Sequence, residues 1–163
     1  MVIDRLRLST WRSFVIVTSK TESLRWAMFD FLRAHGVNLH RSEDFQAIGR
    51  MERGRLIGVV GYNGFCGLTC QIHTAGDGHW VSREFIRATF EYPFRQIGME
   101  HLFAPVAATN HKALRFDAHM GFTEFGRIKD GYEHGTDLIV LTMARKDCKW
   151  ISADTYKPLA KAA

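Results

Sequence analysis

Apolar positions recur along this chain with two periods, and the switches between them mark its elements. Residues 2–8 and 11–17 alternate or run apolar and β-branched, which predicts a strand broken near Ser9 and Thr10. Leu24, Ala27, Met28, Phe31 and Leu32 then fall at three- and four-residue spacing, which predicts a helix with one buried face. Ser19-Lys20-Thr21-Glu22 reads as its capping box and Gly36 as its stop. Residues 37–44 break the pattern and read as a loop or a short second helix. Phe45–Met51 and Leu56–Tyr62 flank the turn Glu52-Arg53-Gly54-Arg55 as a hairpin. After Asn63-Gly64 and Gly67, Leu68–Thr74 reads as a further strand.

The second half opens with a glycine-rich loop and a helix from about Ser82, carrying Phe85, Ile86 and Phe90. Pro93 removes a hydrogen bond inside that helix and clashes with the preceding turn, at a cost of ~3 kcal/mol, so the helix must kink or restart there. Gly98 ends it and His101–Val106 reads as the next strand. Asn110 can cap a helix of about three turns with Ala113, Leu114 and Ala118 on its apolar side. Gly121 supplies the left-handed stop, and Phe122 packs back on the last turn. Arg127–Thr136 reads as a polar loop and Asp137–Ala144 as a last strand. Strands and helices in this order predict a single α+β domain over residues 1–163, with one parallel pair joined by a right-handed crossover.

Composition narrows the function classes. The net charge is +5, but residues 144–163 hold five Lys/Arg against two Asp, so most of the excess sits in a basic tail, 145–163. The body is only mildly basic and has no basic block interleaved with aromatics, which argues against a nucleic-acid partner. Three cysteines, Cys66, Cys70 and Cys148, read as reduced structural thiols. Eight histidines show no metal-ligand spacing, so no metal is expected. Phe14–Val17, the longest early apolar run, is too short for a signal core or a membrane span, which points to the cytoplasm with no membrane partner.

Within Val106–Gly126, Asn110, Ala113, Phe116 and the pair Gly121-Phe122 stand at a spacing that resembles the second half of the acetyl-coenzyme A site in the GNAT acyltransferase superfamily. The resemblance extends over roughly Ser19 to Arg145 and looks nearest to small divergent members of the kind bacteriophages encode. It implies the GNAT fold: a mixed, mostly antiparallel sheet of six to seven strands, flanking helices, and one parallel pair splayed around the acyl-coenzyme A site. It implies an N-acyltransferase that moves an acetyl group from acetyl-coenzyme A to an amine of a small molecule or protein by direct attack in a ternary complex. The pyrophosphate loop of the family, laid on this chain without gaps, falls on Ile72–Arg83. There Asp77 stands where a basic residue is common, and Trp80 and Ser82 stand where glycines are expected. Backbone N–H groups and a helix dipole do the binding, so side chains can vary while the turn keeps its shape. The cofactor contacts implied are Ile72, His73, Thr74, Gly78, His79, Trp80, Val81, Ser82, Arg83, Asn110 and Phe116. Trp80 reads either as a lid over the cofactor or as a core residue under the loop.

The family's thiolate-protonating Tyr, seven residues after the Asn, is Asp117 here. A carboxyl of ordinary pKa ~4 is ionised at neutral pH unless burial raises it. Tyr132, in the last loop, is a substitute donor, and His73 on the central strand is the best-placed neutral base. Glu43 and Asp44, with Asp130, Glu133 and Asp137, fall in the two segments that flank the acceptor site in the family and hint at a cationic acceptor. The alternative reading is a GNAT-fold protein without catalysis that grips a partner protein, and Trp80 and Asp117 favour it. Beyond the last strand, Cys148–Ile151 is expected to dock on the body or on a second subunit as a homodimer, with residues past Pro158 mobile.

Overall fold

The computed structural model describes residues 14–151. The expected strand over 2–8 and the end past Pro158 lie outside that range. Among the described residues seven strands form one sheet: β1 (Phe14–Thr18), β2 (Gln46–Glu52), β3 (Arg55–Cys66), β4 (Thr69–Gly76), β5 (His101–Ala107), β6 (Thr123–Glu133) and β7 (Thr136–Ala144). Their order across the sheet is β1-β2-β3-β4-β5-β7-β6, and every neighbouring pair is antiparallel except β4–β5. The helices are α1 (Glu22–Ala34), α2 (Arg83–Glu91) and α3 (His111–Met120). This is the α+β architecture expected, with α2 as the crossover between the parallel strands.

The two sheet faces bury different helices. Met28, Phe29 and Leu32 of α1 pack on Phe45, Ala47 and Val59. Phe85, Ile86 and Phe90 of α2, with Met120 of α3, pack on Val60, Tyr62, Ile72 and Leu102 on the other face. Successive strand residues point to opposite faces, so Ile72 faces α2 while His73 shares the α1 side with Asn63.

Several local readings need correction. The cap of α1 is Thr21, whose hydroxyl accepts from Leu24 N at 3.3 Å. Ser19 instead accepts from Ala47 N on β2 at 2.9 Å, so a sheet contact takes the side chain that the sequence offered as a cap. Residues 37–44 hold no second helix. Arg127–Thr136 is not a loop: β6 runs eleven residues to Glu133 as an exposed edge strand. Its polar composition reflects an edge with little core contact. At Pro93 the helix does not restart but widens into a π-helical stretch, Tyr92–Ile97, that ends at left-handed Gly98. Cys148 is buried, and Trp150 and Ile151 pack against the main core cluster of the same chain.

Candidate active site

The site arises where the sheet comes apart. β3 and β4 stay in register to Gly76, and β5 and β7 to Ala107, but β4 and β5 pair only over Thr69–Gln71 and His101–Phe103. From Ile72 and Ala104 onwards the two parallel strands diverge, and the facing edge of β4 is left without a strand partner. A cleft of about 570 Å³ opens there, through the sheet, and is lined from both faces.

Asn110 caps α3 beside the parted end of β5, its side-chain oxygen accepting from Ala113 N at 3.1 Å. This leaves the amide N–H groups of Asn110 free to donate. The cap and the left-handed Gly121 fix α3 so that Phe116 and Asp117 line the cleft. Asp117 is 8% exposed, and its burial pushes the carboxyl up to about 7. His73 lines the cleft and bonds through Nε2 to Asn63 Oδ1 at 2.9 Å, while burial pushes its imidazole down to about 4. Tyr132 reaches the same cleft from β6 and is 39% exposed. The three candidate catalytic residues are therefore brought together, although 59 positions separate the first from the last in the chain.

The glycine-rich loop divides the remaining candidates. Ile72, Thr74 and Trp80 line the cleft; Gly78, His79, Val81, Ser82 and Arg83 do not. His79, Val81 and Ser82 border a separate depression with Phe14 and Arg50. Ser82 is the cap of α2, accepting from Phe85 N at 3.2 Å, so its hydroxyl is already engaged. Trp80 is a wall residue. Its ring stands over Gly58 and Gly76 and reaches Phe85 at 6.1 Å and Phe116 at 5.7 Å, joining the start of α2 to α3. Arg50 donates to the Trp80 carbonyl at 2.8 Å and pins the loop from below.

The acidic residues expected to attract a cation do not line the cleft. Asp44 accepts from Phe65 N at 3.2 Å, Asp130 from Gly135 N at 3.0 Å, and Asp137 from Asp130 N at 3.1 Å and Arg127 at 3.2 Å. They shape turns. The α1–β2 segment contributes His35, Asn38, His40, Arg41 and Ser42 to the lining instead. Sequence reasoning also missed Asn63. The signal was the β3–β4 register, which places it one step from His73 on the same face. Among the described residues no three His, Cys, Asp or Glu side chains cluster to hold a metal, and no helix is long and apolar enough to cross a membrane.

A family model described as an acetyltransferase (GNAT) domain matches residues 38–139. The chain belongs to the GNAT family. Among solved structures, a variant of the spermidine N-acetyltransferase SpeG from Vibrio cholerae superposes with a TM-score of 0.67 at 13% identity, over 86% of this chain and 98% of that one. The same enzyme in complex with CoA and spermine gives 0.64 at 13% identity, over 82% and 96%. A ribosomal-protein-S5-alanine acetyltransferase from Vibrio fischeri gives 0.63 at 15% identity, over 88% and 98%. No curated protein matches the chain by sequence. The seven-stranded sheet with its single parallel pair is the GNAT fold, and GNAT acetyltransferases take acetyl-coenzyme A as acyl donor. The parted strands of this GNAT domain fit such a donor: the unpaired β4 edge offers backbone groups to an extended amide-bearing arm, beside the donors of Asn110.

Proposed function

We propose that this GNAT chain transfers an acetyl group from acetyl-coenzyme A to a primary amine in one ternary complex. The observation that carries the reading is the cleft at the parting of β4 and β5, lined by a neutral imidazole, His73, and a carboxyl poised to hold a proton, Asp117. The thioester lies along β4, and N–H groups near Ile72 and His73 polarise its carbonyl. The amine nitrogen attacks that carbon from the α1 side and a C–N bond forms. His73, uncharged at neutral pH, takes the proton that the nitrogen sheds from the adduct. The C–S bond breaks and the sulfur takes a proton from Asp117, with Tyr132 as the alternative donor. Asp117 suits that task because its burial keeps a substantial protonated fraction near pH 7.

Trp80 favours a second reading, a GNAT-fold binding protein without catalysis. Its contact with Phe116 ties the two walls of the cleft together where the cofactor would enter. One experiment separates the two. Saturating acetyl-coenzyme A should raise the melting temperature, because a ligand selective for the folded state stabilises it by mass action. Amine-dependent release of free thiol should follow. No thermal shift at millimolar cofactor overturns the enzyme reading in favour of the binding protein.

A further inference from the structure

We infer that the acceptor is a primary amine carrying an anionic group, held at the mouth of the cleft by Arg41, and not a polyamine. The inference rests on the acyltransfer reading and adds the substrate class to it. Among the described residues that line the cleft, the single carboxylate is Asp117, on the α3 wall. The α1–β2 segment on the other side presents Asn38, His40 and Arg41, and the sheet beneath it presents Asn63, Gln71 and His73. That half of the cleft offers hydrogen-bond donors and positive charge.

Arg41 is placed rather than loose. Its guanidinium stands 4.3 Å over the Trp26 ring and 6.0 Å from Phe29. Stacking fixes the group while leaving its N–H edge uncancelled, and among the described residues no carboxylate pairs with it. Glu43, two residues on, is exposed and does not line the cleft, and two other acidic side chains are engaged elsewhere. Asp77 is 2.8 Å from His35, and Asp44 holds Phe65 N. A polyamine would bring two or more positive charges to a wall whose lining holds Arg41 and no carboxylate, a repulsive arrangement that selects against it. A carboxylate or phosphate on the acceptor gains a charge-assisted, two-point contact with the guanidinium fork. The amine end then lies towards His73.

A matched series tests this, with release of coenzyme A thiol as the readout: butylamine, putrescine, spermidine, 4-aminobutyrate and phosphoethanolamine. The anionic amines should exceed putrescine and spermidine in kcat/KM by about tenfold or more, the size of one charge-assisted contact. Which of the two leads identifies the anion as carboxylate or phosphate. Arg41→Glu should reverse the order, lowering the anionic amines and raising putrescine, with the KM for acetyl-coenzyme A unchanged. A merely structural role for Arg41 would lower all five together, which counts against the inference. Putrescine or spermidine performing as well as the anionic amines overturns it. So does an Arg41→Glu variant that weakens acetyl-coenzyme A instead, since the cation would then serve the cofactor's phosphates. If acetyl-coenzyme A raises the melting temperature but no amine in the series is acetylated, this inference alone falls. If the cofactor itself does not bind, the acyltransfer reading falls and takes this one with it.

Discussion

The indole of Trp80 rests on the bare backbone of Gly76: a Cβ at that glycine would overlap the ring. Gly58, its cross-strand neighbour, is nearly as tight, with Trp80 Cε3 at 2.7 Å from where a Cβ would stand. Neither glycine has a left-handed backbone, so the constraint is close approach and not conformation. Gly76→Ala should therefore push the ring towards Phe116, lower the melting temperature and weaken acetyl-coenzyme A binding. An overpacking cost of ~1–3 kcal/mol is the expected scale. Combining it with Trp80→Ala should cost less than the sum of the two single changes, because the clash partner is gone. Strict additivity in denaturant unfolding would refute the contact.

His73 donates through Nε2 to Asn63, which leaves Nδ1 as the ring nitrogen with a lone pair. His73→Ala should lower kcat by ~100-fold and leave the KM for acetyl-coenzyme A within about threefold, the pattern of a lost transition-state role. Asn63→Ala should lower kcat less, by freeing the ring to take the other tautomer. Steady-state kinetics with the preferred acceptor decides it. Equal loss of kcat and cofactor affinity in His73→Ala would assign the ring to binding.

Asp117 links stability and activity to pH in a definite sense. Its carboxyl is raised from 3.8 to about 7, so between those values the folded chain binds more protons than the unfolded one, and stability falls as pH rises. Holding the group ionised above pH 7 costs on the order of 4 kcal/mol by the same shift. Asp117→Asn should match the parent near pH 4 and melt at a higher temperature at pH 8. His73 acts oppositely, because the unfolded chain binds more protons between about 4 and 6.5, but it is common to both proteins and cancels in the difference. The same variant should be slower by ~100-fold or less, since a thiolate leaves with little help. The parent's fall in kcat through pH 7 should vanish in it. Melting curves and pH–rate profiles of the pair read both effects.

Trp150 Nε1 donates to the Met120 carbonyl at 2.7 Å, and Lys149 Nζ to that of His119 at 2.8 Å. The last carbonyls of a helix lack partners within it, so these two side chains complete the end of α3. Trp150→Phe keeps the ring and should cost ~1 kcal/mol for the lost bond. Trp150→Ala should cost more, with loss of packing on the core. Chemical denaturation orders the variants, and an unchanged midpoint in Trp150→Ala would mean that the segment adds nothing to the body.

What the sequence determined by itself is local and periodic. Asn110 and Gly121 bound α3 because a side-chain cap and a left-handed stop are short-range devices that show in the residue types. The apolar spacing of α1 and α2 and the Arg53-Gly54 turn were legible for the same reason. The parallel β4–β5 pair followed from the element order. What only the tertiary structure decided depends on neighbours distant in the chain. Ser19 or Thr21 could each have capped α1, and the pull of Ala47 N on Ser19 settles it. The polar 127–136 stretch is strand because it lies against β7, a partner that rewards backbone pairing without demanding apolar side chains. The divergence of β4 and β5 brings His73, Asp117 and Tyr132 to one cleft and leaves the acidic loops outside it. The sheet also buries Asp117 and so raises its carboxyl, because desolvation is a property of the packed surroundings and not of the residue.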